Sequence, residues 1–470
     1  MIETKANNLE NAVLNELNEL LGQENVLSGT EDRYCYAYDA TAIGDKLYMP
    51  DVIVFPSSTE QISRVLKLAN DNNIPVIARG AGTNLSGACI PVKGGIVIHF
   101  SKMNRIINID KNNLTCTAQP GITIEKLQQE AEKLGLFYPP DPSNLKVSTL
   151  GGSIALSSSG PRCFKYGSTK DYIIGLKVVT ADGKIIKTGG STVKNVTGYN
   201  LTQLFIGSEG TLGIITEITA GLIPLPEDKK VLLAFFDSVD KAANTVTEII
   251  SAGIMPATLD MMDKNTMQTV EKFHPTGLPM DMDASLIIEV DGFRESIEPQ
   301  MKQVSDICYK MGAEQIRVSN NEKEREEIWF ARRSAFGAVA RLRPNVITED
   351  AVVPRDKIPD MIKEIRRIAD KYNLVVCIMG HAGDGNIHPN FSLDLRNKQE
   401  AHNMEEATKE LFDAAIKLGG TLSGEHGIGL AKSGYMNKAL DKDVIQYMRM
   451  IKDIFDPKGI LNPGKIFPPE

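Results

Sequence analysis

The chain has 470 residues, 42% of them apolar and 24% charged, with a formal net charge of −8. That length exceeds what one hydrophobic core usually supports, so two or three domains are expected, and the composition excludes a disordered chain. The negative balance argues against nucleic acid as a partner and gives no reason to expect binding to acidic membranes. No apolar run reaches the roughly 18 residues of a membrane helix, and the start MIETKANNLENAV has no signal-peptide core, so the expected location is the cytoplasm.

Residues 7–24 place Leu9, Val13, Leu17, Leu20 and Leu21 at helical spacing, with Asn8 as the expected cap. A polar, Tyr-rich connector runs to Pro50. From Asp51 strands and helices alternate: a buried strand VIVFP, then a helix over Ser58–Asn72 opened by a Ser/Thr cap with a nearby Glu. A strand over Pro75–Ala78 leads directly into RGAGTNLSG. Strands GGIVIHF and LTCTAQPG, helix ITIEKLQQEAEKLG and loop YPPDPSN complete an α/β or α+β pattern. Residues 145–222 read as short strands joined by glycine turns, including a hairpin turned at Asp182–Gly183. After LIPLPEDKK the style changes. Residues 231–325 read strand, helix, strand, helix, strand, a compact α+β unit on an antiparallel sheet, and two more helices bracket RLRPNVITEDAVVP.

The 39 glycines mark the same division. Residues 80–213 hold 19, residues 380–470 hold 11 and residues 222–376 hold five, so the flanks look like loops built around a ligand and the middle like an ordinary packed domain. Cys35, Cys89, Cys116, Cys163, Cys308 and Cys377 form no CxxC pair, which excludes a zinc ribbon or a ferredoxin-type cluster on this chain and fits reduced, isolated thiols.

In Arg79–Gly87 successive glycines can turn backbone N–H groups inward as a nest for a diphosphate. The loop is not a Walker A motif, since no GKS or GKT closes it. It is not a Rossmann fingerprint, since Gly80 and Gly82 are followed by Leu85. Pro139–Ser159 and Gly207–Ile215 are small-residue segments rich in N–H and O–H donors, suited to a long polar ligand such as a dinucleotide.

In register, PSSTEQISRVLKLANDNNIPVIARGAGTNLSG, PPDPSN, STLGGSIA, KYGSTKDYIIGLKVVTADGKIIKTGG and GSEGTLGIITEIT resemble the FAD-binding domain of vanillyl-alcohol-oxidase (PCMH-type) flavoproteins. GHAGDGNIHPN and SGEHGIG resemble the glycolate-oxidase catalytic subunit and D-lactate dehydrogenase branch. The resemblance spans about Asp51 to Pro463 and implies an α+β fold. Its parts are an N-terminal helical segment (1–50), a PCMH-type FAD-binding domain (51–225), a ferredoxin-like antiparallel α+β cap domain for the substrate (226–420) and a helical C-terminal segment returning to the flavin (421–470).

The resemblance further implies FAD with its diphosphate on the first glycine loop, at Arg79, Gly80, Ala81, Gly82, Thr83, Asn84 and Ser86, and its ring between the two domains. Further contacts are expected from Pro140, Asp141, Ser143, Thr149, Gly151, Gly152, Ser157 and Ser158, then Gly160, Tyr166 and Gly167. Glu209, Gly213, Ile214 and Ile215 follow, with Asn462 and Lys465 in the C-terminal LNPGK. Relatives elsewhere attach FAD covalently through His or Cys. Arg79–Gly87 has neither, so the FAD is expected to be non-covalent. Ser157–Ser159 departs from the Thr–Asn–Ala of relatives but keeps small polar donors.

Of six histidines, His381, His388 and His426 fall in the two late glycine-rich segments. His381, His388 and Glu425 form a two-His, one-carboxylate set suited to a divalent ion with open positions, Zn or Fe(II), and Gly383 and Gly385 let a seven-residue turn fold both imidazoles inward. The resemblance makes His426 the base that removes the hydroxyl proton of a 2-hydroxy acid; a fourth metal ligand is the alternative. In IWFARRS it makes Arg332 the clamp for a substrate carboxylate, with Arg333 a surface residue. Thr348, two residues before Asp350, stands where dicarboxylate-specific relatives carry Lys, which favours a small monocarboxylate.

The implied activity is an FAD-dependent D-2-hydroxyacid dehydrogenase acting on D-lactate or glycolate. With no iron–sulfur motif, membrane helix or NAD site in the sequence, an external acceptor is expected: an electron-transfer flavoprotein or an iron–sulfur subunit, in a hetero-oligomer. Two rivals remain at this level. One is a non-redox flavoenzyme resembling alkyl-dihydroxyacetonephosphate synthase, and the other is a metal-dependent hydrolase or lyase whose glycine loops bind a phosphate; a non-catalytic electron-transfer subunit is a third, weaker option.

Overall fold

The computed structural model describes residues 9–42 and 47–469, and the chain forms two compact units. The first comprises the described residues up to Ser159, then Ser168–Leu225, then those from Glu425 onward; the second comprises Gly160–Gly167 and Pro226–Gly424. Among the described residues no helix is long and apolar enough to cross a membrane.

The first unit holds two sheets. In one, Val52–Val54, Ile96–His99 and Val76–Arg79 pair in parallel, and Val26–Leu27 adds an antiparallel edge. The helix Thr59–Asp71 makes the crossover. Ser58 caps it by accepting the Gln61 N–H at 3.2 Å, and Ile62, Val65, Leu66 and Ala69 recur at helical spacing and are buried. Helix Asn11–Leu21 packs beside it, burying Val13, Leu17 and Leu21. The expected cap Asn8 lies outside the described residues; the cap position of the observed helix is Glu10.

The other sheet is antiparallel, in the order Ile106–Asp110, Thr115–Ala118, Ile214–Gly221, Ile173–Val179, Ile185–Gly189. Its last pair is the hairpin turned at Asp182–Gly183. Helix Ile124–Glu132 packs on this sheet through Ile124, Leu127 and Ala131. A short helix, Leu150–Leu156, was not expected. It lies in the small-residue segment and is capped by Thr149. The C-terminal tail returns to the parallel sheet, where the Val76 N–H donates to Ile460 O and the Asn462 N–H to Val76 O, both at 2.8 Å.

The second unit is built on one antiparallel sheet. Its order is Gln315–Val318, Asp228–Phe236, Ala284–Gly292, Thr258–Asp263, Val375–His381, Asn386–Leu393 and Asn345–Thr348, and Ala351–Val352 also pairs with Asn386–Leu393. Along Asp228–Phe236, Leu232, Ala234 and Phe236 enter one core while Val231, Leu233 and Phe235 enter the other. Both faces are therefore covered, which is why this strand reads as an apolar run rather than an alternation. Helices Val239–Ser251, Arg294–Lys310, Ile358–Lys371 and Lys398–Lys417 cover the first face; Lys264–Phe273 and Glu322–Val339 cover the second. The segment from Gly380, expected as a glycine-rich loop, is instead a hairpin, with Met379 opposite His388 and His381 opposite Asn386.

Candidate active site

In the first unit the loop after strand Val76–Arg79 opens onto a pocket with about 960 Å³ of empty space, part of it open to solvent. Gly80 to Leu85 form one wall, Ser143, Asn144 and the segment from Ser148 to Ser159 another, and Glu209, Gly210, Glu425 and His426 close it. Local hydrogen bonds hold the loop. Asn84 Oδ1 accepts the Ala88 N–H at 2.9 Å, and Thr41 Oγ1 accepts the Gly87 N–H at 2.6 Å. Gly82 has φ 69°, a left-handed conformation that favours glycine, and a Cβ there would lie 2.2 Å from Nη2 of Arg79.

Of the expected cofactor contacts, Gly80, Ala81, Gly82, Thr83, Asn84, Ser143, Thr149, Gly152, Ser158 and Glu209 line this pocket. Others have different work. Arg79 is buried and donates to Tyr38 O at 2.6 Å. The Gly151 N–H, expected as a ligand donor, is taken by Pro120 O at 2.8 Å, because the segment is helical and its first turn docks on the preceding turn. Ile214 and Ile215 are buried in the two cores on either side of their strand. Gly160, Tyr166 and Gly167 belong to the second unit, where the Tyr166 hydroxyl donates to Asp291 at 2.8 Å. Sequence reading missed Cys89, two residues past the glycine loop, and Ser148, Ser153 and Gly210, small residues whose only signal was their place inside motifs already identified.

The tail stitches this pocket together. Asn462 Nδ2 donates to Ala88 O at 2.8 Å and to Glu209 O at 2.7 Å, and Lys465 Nζ donates to Ile90 O at 2.7 Å. Burial lowers the Lys465 pKa to about 8, against the attraction of Cys89, Asp39 and Glu209. Burial also raises Glu209, against hydrogen bonds from Ile428 and Gly429 and the charges of Lys465 and Lys432. These opposite charges oppose each other's shifts, and desolvation outweighs the attraction in both. Burial likewise pushes the Cys89 thiol to about 12.

The second unit assembles another constellation. Asp260 and His381 are direct partners across adjacent antiparallel strands. Asp260 is fully buried. Its Oδ1 lies 2.6 Å from Nδ1 of His381, and its Oδ2 accepts from Nε of Arg332, on helix Glu322–Val339. Burial alone would raise the Asp260 pKa; Arg332 and His381 together hold it below the usual carboxylate value. An ionised carboxylate only accepts, so Nδ1 of His381 donates to it. His388 sits diagonally across the hairpin on the same face, its ring 5.2 Å from that of His381. Asp350 accepts from Asn386 Nδ2 at 2.8 Å and from Ser423 Oγ at 2.6 Å, and it lies 3.8 Å from Nδ1 of His388. Two imidazoles on one face, one of them oriented by a carboxylate, fit a divalent metal ion. The third expected ligand, Glu425, and the expected base, His426, belong to the first unit.

Asp260, Glu289 and Asp291 were not singled out from the sequence. All three are buried: Glu289 accepts from Trp329 Nε1 at 2.9 Å, and Asp291 takes Lys165 and Tyr166. The available signal was an acid inside an apolar strand, in TLDMMD and SLIIEVDG.

A parallel sheet and an antiparallel sheet around a glycine-loop pocket define a PCMH-type FAD-binding fold. Residues 50–189 match the family model "FAD binding domain", and residues 225–466 match "FAD linked oxidases, C-terminal domain". The chain belongs to this family of FAD-linked oxidases and is an FAD-dependent oxidoreductase. It is 47% identical over 455 residues to "Glycolate oxidase subunit GlcD" of Bacillus subtilis (strain 168), covering 97% of this chain and 96% of that protein. It is 34% identical over 474 residues to "D-lactate dehydrogenase" of Anaerostipes hadrus, covering 99% of each. Among solved structures, p-cresol methylhydroxylase with substrate bound superposes with a TM-score of 0.81 at 19% identity, covering 97% of both chains, a likeness of fold.

Proposed function

We propose that this protein oxidises a small 2-hydroxy acid, D-lactate or glycolate, to the 2-oxo acid, using non-covalent FAD and an external protein as electron acceptor. One observation carries the reading: the His426 imidazole lines the same pocket as the glycine loop Gly80–Leu85. The names of relatives at 47% and 34% identity support the substrate class.

FAD, when bound, would supply the two-electron acceptor for the substrate's C2 hydride, and a divalent ion held by His381 and His388 would supply Lewis acidity toward the hydroxyl. The chain does the rest. His426 takes the hydroxyl proton as the C2–H bond breaks. Arg332, anchored through Nε to Asp260, is held in one orientation, the condition for planar recognition of a carboxylate. Thr348, hydrogen-bonded to Asn390 at 2.8 Å, brings no cation for a second acidic group, which supports a monocarboxylate. A relative named as a subunit supports assembly with other subunits; an electron-transfer flavoprotein or an iron–sulfur subunit is the acceptor we propose.

The test is anaerobic bleaching of the flavin by a panel of D- and L-2-hydroxy acids, with and without a chelator. Bleaching by D-lactate or glycolate, lost on chelation, is expected; a flavin inert to the whole panel sinks the reading. His426→Ala should keep FAD bound but stop bleaching, and wild-type turnover in that variant would remove His426 as the base.

A further inference from the structure

We propose that Glu209 is a positioning residue for His426, its carboxylate clipping the segment that carries the imidazole to the frame of the cofactor pocket. The inference rests on the reading of His426 as the base.

Glu209 is 5% exposed and has φ 52°, a left-handed conformation that a non-glycine residue adopts at a cost and that tends to cluster at functional sites. Its backbone is pinned twice. Its N–H donates to Ala155 O at 2.8 Å, and its carbonyl accepts from Asn462 Nδ2 at 2.7 Å. The side chain, held from this fixed base, reaches the segment after His426. Oε1 accepts the Ile428 N–H at 2.8 Å, and the Gly429 N–H is shared between Oε1 at 3.1 Å and Oε2 at 2.8 Å.

A second anchor holds the same segment. The Leu430 and Ala431 N–H groups both donate to Ser86 O, at 2.8 and 3.0 Å. Gly429 has φ 49°, and a Cβ there would lie 2.2 Å from that same oxygen. The chain can come this close to the loop of Ser86 only as glycine. Residues 428–431 are therefore clamped between Glu209 and Ser86, and His426 lies two residues upstream of the clamp. Glu209 was expected as a cofactor contact. Besides lining the pocket, it spends both oxygens on backbone donors of the base-bearing segment. Displacing a catalytic group by about 1 Å can cost on the order of 100-fold in rate, so the clip acts on turnover more than on binding.

The test uses Glu209→Gln in the full-length protein loaded with FAD. The amide is nearly isosteric but turns an NH₂ toward backbone N–H groups that need acceptors. Amide hydrogen exchange across residues 425–431 is expected to rise about 10-fold or more at Ile428 and Gly429. Turnover with D-lactate or glycolate should fall roughly 10- to 100-fold, while KM and FAD affinity stay within about 3-fold. Exchange unchanged at 428–429, or loss of FAD in place of turnover, overturns the proposal. If Glu209→Gln does not fold, Glu209→Asp keeps the charge on a shorter stem and meets the same criteria. The failures separate: unchanged exchange overturns the clip whatever His426 does, while wild-type turnover of His426→Ala overturns the base assignment beneath it.

Discussion

Oδ1 of Asp260 lies 2.6 Å from Nδ1 of His381, across adjacent strands in which the two residues are register partners. The other oxygen of the same carboxylate holds Arg332. One buried acid thus orients both the expected metal-binding imidazole and the expected substrate clamp.

Asp260→Asn should weaken both. Loss of a carboxylate behind a ligating histidine typically costs about 10- to 100-fold in metal affinity. Leaving Arg332 without its buried partner should cost about 3–5 kcal/mol of stability. Metal content after graded chelation, together with urea unfolding, checks this; a variant with wild-type metal retention would show that Asp260 does not tune His381.

Arg332→Lys keeps a cation beside Asp260 but loses the planar fork. If Arg332 binds the substrate carboxylate, the loss of a charged hydrogen bond, about 1.5–3 kcal/mol, should raise KM for 2-hydroxy acids roughly 10- to 150-fold with FAD content intact. Steady-state kinetics decide it, and an unchanged KM would place the clamp elsewhere.

Lys465 gives a pH dependence of defined sign. Its folded pKa, about 8, lies below its ordinary 10.5. Below pH 8 the lysine is charged in both states, and its burial costs stability in full. Between pH 8 and 10.5 the unfolded chain still holds a proton that the folded one has released, so the Lys465 contribution to stability rises with pH. Relative to Lys465→Met, the wild type should therefore gain stability between pH 7 and 9.5. The full span is on the order of 3 kcal/mol, at about 1.36 kcal/mol per pKa unit. Paired urea titrations measure it, and a pH-independent difference would mean that the lysine titrates normally.

The six cysteines should divide sharply toward a thiol reagent. Burial pushes Cys89, Cys116, Cys308 and Cys377 to about 12, whereas Cys35 is exposed. Cys35 should label first at pH 8 and those four only on unfolding, because the thiolate is the reactive form. Fast labelling of any of the four in folded protein, read by peptide mass, would contradict their burial.

Features encoded locally could be read without coordinates. Ser58 before an apolar 3.6-residue period means a capped helix, and Asp182–Gly183 between alternating strands means a hairpin turn, because caps and tight turns are settled by neighbours in sequence. The glycine loop and the histidine segments were legible for the same reason. Leu150–Leu156 was not, since Gly151 and Gly152 lower helix propensity and only docking on Pro120 and Ile122 makes the helix form. The hairpin over 375–393 was hidden because both faces of its sheet are covered, which erases the polar–apolar alternation.

By itself, the sequence determined the PCMH-type fold and the FAD cofactor and put forward the residues proposed to act on a hydroxy acid, because short motifs carry their donors and turns with them. Tertiary structure decided which groups steer those residues. Asp260 reaches Arg332 across 72 positions and His381 across 121, and Glu209 reaches Ile428 across 219. Pairings at such separations leave no periodic trace in sequence; they exist only because sheet register and close backbone approach bring buried acceptors to donors that burial has cut off from water.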